Sequence, residues 1–249
     1  MLLPVTALLP KVTESLICKL RQNRLYSLLK MSKGAKWEEE KAKILSLPLE
    51  EKRKLYKASD YLTINEVDSW SLYYSKNEGV KDKKHTNEDL TEFRKIKIDS
   101  DKNTELVKKV SIFKGDITKL EAECNTLGGC RTGEAKITGG YNLPAKYVIH
   151  TVGPQNGSAP NLESCYEKSL ELVTQQELES VAFPCISTGI YGFPNRLAAH
   201  IALRAARKYL EDNNKVNKII FCTFMPIDVD IYETLMQMYF PIHEKNYYD

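Results

Sequence analysis

A serine, a threonine and two glycines lie between an apolar run and a helix-forming segment in Val181–Pro194, VAFPCISTGIYGFP. The chemistry such a spacing suits is anion binding. Val181–Ile186 is apolar, Ser187–Gly192 is a turn, and Asn195–Leu210 has helical character. Helix starts leave backbone N–H groups unpaired and carry a partial positive charge, so a phosphate can sit there. Glycine admits positive φ and lets backbone approach an anion with no Cβ in the way. Open α/β sheets bind ligands beyond the carboxyl ends of their strands, which is where this turn falls. The turn is neither a Walker A sequence, since no Gly-Lys-Ser/Thr ends it, nor GxGxxG. By itself it reads as a plain strand-to-helix turn. Pro184 removes a ladder donor, so the strand must bulge or end there.

The elements that would position this turn belong to a chain of 249 residues, enough for one large domain plus extensions. No run approaches the roughly 18 apolar residues of a membrane helix, so no span is expected. The net charge of +3 is uneven: residues 1–36 hold seven Lys/Arg against one Glu, and the remainder nets −3. An acidic body excludes a bulk electrostatic grip on nucleic acid. The six cysteines form no CxxC and have no histidine cluster beside them, so a zinc site is not expected. Cys185 and Cys222 sit in apolar runs and read as small buried hydrophobes in a reduced, intracellular chain. No metal, redox cofactor or partner chain is implied, and a monomer is expected.

Residues 1–36 read as a mitochondrial transit peptide, with a basic amphipathic helix over about 13–29. The alternatives are an untargeted extension, or a start at Met31 that would leave the protein in nucleus or cytosol. Residues 37–74 read as a helical extension, in which Pro48 suits a first helical turn. Residues 75–104, rich in Lys, Glu, Asp and Asn, read as a charged linker. A compact domain over 105–242 comes next, then a tail over 243–249. Strands are expected at Val110–Phe113, Lys146–Val152, Val181–Ile186 and Lys218–Phe224. Helices are expected at Leu162–Leu178, from Asn195 with that residue as cap, and at Ile231–Phe240. Glu121–Asn142 is glycine-rich and shows no convincing helix. Strand–helix alternation predicts an α/β fold with a mostly parallel sheet covered on both faces.

Four stretches coincide with a known pattern: GDIT at Gly115–Thr118, RTGEAKITGGYNLPAKYVIHTVGP at Arg131–Pro154, AFPCISTGIYGFP at Ala182–Pro194, and KIIFCTF at Lys218–Phe224. Together they resemble the macrodomain, specifically the MacroD-type mono-ADP-ribosylhydrolases, over nearly all of residues 105–242. The resemblance implies a three-layer α/β/α macrodomain whose ligand is ADP-ribose or a mono-ADP-ribosylated protein. It implies that Asp116 accepts from the adenine amino group and that Ile117 contacts the adenine. Ser187, Thr188, Gly189, Ile190 and Tyr191 would wrap the diphosphate through main-chain N–H groups, and Phe224 would lie beside the adenine. Without the resemblance Asp116 is a turn residue, and Phe224 reads equally well as a core aromatic at a strand end. His150 reads as a packed residue.

The chain departs from the family between Glu121 and Asn125. Neither the Asn-Ala-Ala-Asn pattern nor the Gly-Gly-Gly-Val-Asp pattern of the family's next two ligand loops is present. A strand–helix unit of roughly 30 residues is missing between Glu121 and Glu123, as if by in-frame omission. In the family those loops hold the distal ribose and aim the attacking water, an orientation that can supply several kcal/mol of a barrier. Asn125 is the one nearby substitute, and a lone Asn is more often a turn residue. No catalytic residue is therefore assigned. A strand lost from inside the sheet would also leave backbone groups unpaired, a sizeable share of a stability of about 5–15 kcal/mol. Three readings compete: a hydrolase acting on ADP-ribosylated acidic side chains or on O-acetyl-ADP-ribose, a non-catalytic ADP-ribose reader, or a destabilised chain. Catalysis is expected to be weak or absent.

Overall fold

The computed structural model describes residues 42–58, 60–121, 124–243 and 247, and for 124–130 the course of the backbone alone. The expected transit peptide lies outside the described residues, as does most of the tail. The chain divides into two units, Met1–Leu49 and Glu50–Asp249. Among the described residues, every strand belongs to the second unit.

Strand β1 (Leu62–Thr63) is followed by helices α1 (Trp70–Lys76), α2 (Glu78–Lys81), α3 (Asn87–Phe93) and α4 (Asn103–Lys109). Ser69 caps α1 by accepting from the Leu72 amide. Thr86 and Asp89 form a reciprocal capping box at the start of α3. The stretch 75–104 is therefore not a solvated linker, as its charge suggested. It contains α2 and α3 and buries Val80, Phe93 and Asp89. Its apolar residues are few, but Phe93 packs edge-on against Tyr239, far along the chain. Trp70 is fully buried and donates from Nε1 to the Phe240 carbonyl at 3.0 Å.

Then come β2 (Val110–Lys114), β3 (Leu120–Glu121), β4 (Cys124–Thr132), β5 (Ala135–Gly139) and β6 (Tyr147–Val152). Helix α5 (Ala159–Gln175), β7 (Ser180–Pro184), α6 (Asn195–Asp212), β8 (Lys218–Thr223) and α7 (Pro226–Tyr239) complete the order. Six strands form one sheet in the order β2-β8-β7-β4-β6-β5, and β1 pairs with β3 in a separate two-stranded ribbon. All pairs in the large sheet are parallel except β5 with β6. Val181, Ala182 and Phe183 of β7 and Ile219–Thr223 of β8 are buried in succession. Burial without alternation means both sheet faces are covered, the three-layer α/β/α arrangement. Helix α5 buries Leu162, Cys165, Tyr166, Ser169, Leu170 and Val173, the expected helical stripe.

Two expectations are corrected. The interior slot of the sheet is not left open. Strand β4, built from residues directly after the departure, pairs with β6 at Cys124↔Tyr147 through Leu127↔His150 and with β7 at Cys124↔Val181 and Asn125↔Ala182. Backbone ladders need only an extended segment of adequate length, and this one has it. Asn125 is thus a ladder residue rather than a turn residue. Register jumps between Leu127 and Thr132, where Gly128 and Gly129 lie, and the chain then crosses the end of β6 with Gly133 N bonded to Val152 O. The second correction concerns Asn195. Pro194 holds the N-cap position of α6 without a side-chain bond, so Asn195 is the first helical residue rather than the cap.

Candidate functional site

Strands β2, β8 and β7 are neighbours and parallel, so their carboxyl ends open onto one edge of the sheet. The segments leaving those ends carry the candidate ligand residues: Gly115–Ile117 after β2, Phe224 after β8, and Cys185–Pro194 after β7. The Gly115 amide bonds to the Thr223 carbonyl at 3.3 Å, tying the first two together.

Asp116 is half-buried and caps the 3-10 turn Ile117–Lys119. Its Oδ1 accepts from the Thr118 amide at 2.9 Å and the Thr118 hydroxyl at 2.7 Å. That spends one oxygen on the turn and fixes the carboxylate's orientation. Ile117 is only 5% exposed, so its side chain serves the core, and contact with a ligand is left to its backbone. Phe224 is 78% exposed. The choice between core aromatic and open platform is decided against the core.

The β7 loop has a closed backbone. Ser187 adopts φ 67° and Gly192 φ 64°. Phe193 N bonds Ser187 O at 3.0 Å, and Gly192 N bonds Gly189 O at 3.0 Å. Thr188 Oγ1 donates to Cys185 O at 3.1 Å. Among the described residues, the amides of Gly189, Ile190 and Tyr191 donate to no protein acceptor. Free amides in a turn held by its own bonds are what an anion cradle requires. Ile190 is 74% and Tyr191 38% exposed, so the tip faces solvent.

Gly153, just past β6, was not assigned to the site from sequence. A Cβ there would stand 2.0 Å from Ser187 Oγ. The bare backbone of Gly153 is what lets Ser187 take its left-handed conformation against the sheet, with its hydroxyl buried and unpaired. The signal was present in the HTVGP stretch, but the contact is between residues far apart in the chain. His150 lies half-buried on β6 with Nε2 2.7 Å from Thr138 Oγ1, a sheet contact. Burial pushes the Cys222 thiol well up, and burial with Asp228 pushes Cys185 up, so neither is a poised nucleophile. Among the described residues, no cluster of three or more His, Cys, Asp or Glu could hold a metal, and no helix is long and apolar enough to cross a membrane.

The Macro domain family pattern matches residues 111–202. The chain is 42% identical to the mouse ADP-ribose glycohydrolase MACROD2, over 84% of this chain and 50% of that protein. It thus spans about half the length of that relative. It is 35% identical to the bovine ADP-ribose glycohydrolase MACROD1, over 85% of this chain and 73% of that protein. Among solved structures it resembles the macro domain of ganglioside induced differentiation associated protein 2, with a TM-score of 0.59 and 27% identity, covering 75% of this chain and all of that one. With a relative of this identity matched over most of its length, and a fold shared with a solved macro domain, the chain belongs to the macro domain family.

Proposed function

We propose that this chain binds ADP-ribose, free or attached to protein, and that it descends from mono-ADP-ribosylhydrolases with its own turnover impaired. The observation that carries the binding half is the convergence of three neighbouring strand ends. They offer a fixed carboxylate at Asp116, an exposed ring at Phe224, and unpaired amides over Gly189–Tyr191. These suit an adenine edge, an adenine face and a diphosphate in that order. The names of the mouse and bovine relatives, both ADP-ribose glycohydrolases, support the same ligand.

The impaired half rests on the sequence between Glu121 and Cys124, where two residues stand in place of two family loops. The alignment to the mouse relative runs over 248 positions but uses only 84% of this chain, so that relative holds residues with no counterpart here. Strand β4, bonded on both sides, favours a folded reader over a destabilised chain. The basic first 36 residues support mitochondrial targeting, which import into isolated mitochondria would test.

Calorimetry of the full chain with ADP-ribose is the primary test, and heat of binding with a ligand-induced rise in Tm is expected. No heat and no shift would remove the proposal. A parallel assay of mono-ADP-ribosylated protein at high concentration of this chain is expected to show little release, and brisk turnover would refute the impairment.

A further inference from the structure

Asp228 lies in the first turn of α7, four residues after Phe224, and is 5% exposed. Its Oδ1 accepts from Asn195 Nδ2 at 2.7 Å. Asn195 is the residue at which α6 begins, directly after the Cys185–Pro194 loop. At the other stem of that loop, burial first, then the Asp228 carboxylate, push the Cys185 thiol up. The Asp228 amide closes the first turn of its own helix onto Met225 O at 3.0 Å, next to the exposed ring. One buried side chain therefore bonds to the helix-side stem of the β7 loop and is built into the turn that directly follows Phe224.

We propose that Asp228 is a positioning residue: through Asn195 it sets the distance between the Ser187–Tyr191 loop and Phe224, and so the length of ligand that engages both. The role rests on the proposed binding of ADP-ribose. A buried polar group held in one geometry costs free energy unless paired, which makes this bond selective for a single spacing rather than a sliding contact. Two half-sites held at a fixed separation reward a ligand that bridges them. A ligand filling only one half gains nothing from the separation.

The test uses the full-length chain and variants Asp228→Ala, Asn195→Ala, the double variant, and Asp228→Asn, which keeps an acceptor oxygen in place. ADP and ADP-ribose are titrated by calorimetry, and adenosine, which reaches the Phe224 half alone, by NMR. The expected result is a loss of tenfold or more for ADP and ADP-ribose in each alanine variant. Adenosine affinity should stay within about twofold, the double variant should be no worse than the weaker single one, and Asp228→Asn should recover most of the affinity. Equal proportional losses for adenosine and ADP would reduce Asp228 to a purely structural role and overturn the proposal. So would alanine variants that bind ADP as the parent does. Asn195 is half-buried at a helix start, so its variant keeps the test informative should Asp228→Ala fold poorly. If the parent chain binds neither ADP nor ADP-ribose, the functional reading itself fails and takes this one with it. A binding parent with unchanged variants defeats only the positioning role.

Discussion

Asp89 and Arg196, 107 residues apart in the chain, meet as a bidentate ion pair with separations of 2.6 and 2.5 Å. Asp89 also faces His200 Nε2 at 3.0 Å, while His200 Nδ1 reaches the Tyr239 hydroxyl at 2.9 Å. The capping-box partner of Thr86 at the start of α3 is thus bolted to α6, the helix that begins just after the candidate phosphate loop. Asp89 is fully buried. Removing Arg196 leaves the buried Asp89 charge without its main counterpart, so Arg196→Ala should cost about 3–5 kcal/mol, and Asp89→Ala less, because the Arg196 side chain is 33% exposed and keeps access to water. Urea melts with unchanged slope would check this; a loss below about 1 kcal/mol would contradict the pairing.

The same pair sets a pH dependence. Burial pushes the Asp89 carboxyl up, but Arg196, His200 and the Thr86 amide together outweigh it and hold it well below the usual carboxylate range. With the folded value below the unfolded one of about 3.9, the stabilisation is present above about pH 4 and drains away as pH falls towards the folded value. Melts between pH 7 and pH 3 should fall more steeply for the parent chain than for Asp89→Asn. Parallel slopes would count against the assignment.

Phe224 offers a separation of stability from binding. At 78% exposure its ring supports no core, so Phe224→Ala should change stability by no more than about 0.5 kcal/mol. ADP-ribose affinity should nevertheless drop by the worth of one stacked base, about 1–3 kcal/mol. Thermal melts and calorimetry on the same preparation decide it, and an unchanged affinity would take Phe224 out of the site.

Gly153→Ala should act on the loop rather than the ligand directly. The new Cβ would meet Ser187 Oγ at 2.0 Å and Ile186 Cγ2 at 2.6 Å, so the side chains at the head of the β7 loop must shift. Overpacking of this kind costs about 1–3 kcal/mol, and the displaced cradle should lower ADP-ribose affinity as well. Ser187→Gly, which removes the clashing hydroxyl and eases the φ of 67°, should restore part of the binding in the Gly153→Ala background, the contact with Ile186 Cγ2 remaining. Failure of that rescue would place the defect elsewhere.

A chain beginning at Glu105 should not fold. It lacks Trp70, Val80 and Phe93, all essentially buried. Loss of a core Trp or Phe alone costs about 3–5 kcal/mol, against a total of about 5–15 kcal/mol for a domain. Circular dichroism should show no cooperative transition. A sharp one would restore the view of 105–242 as an independent domain.

The amino-acid sequence alone determined which strands and helices form around the site, and which chemistry they frame. Apolar runs such as Val181–Phe183, and the stripe from Leu162 to Val173, are local signals with their period written into the chain. The turn residues Gly115, Asp116 and Ser187–Gly192 mark strand ends in the same way. Only the tertiary structure decided what depends on partners far away. The sparse apolar residues of 75–104 became core because α6 and α7 supply their other half. The residues after Glu121 became an interior strand because β6 and β7 offered unpaired ladders on both sides. Gly153 and Asp228 entered the site for the same reason. Each acts on a loop more than thirty positions away, and no spacing within a short window records which distant groups folding will press together.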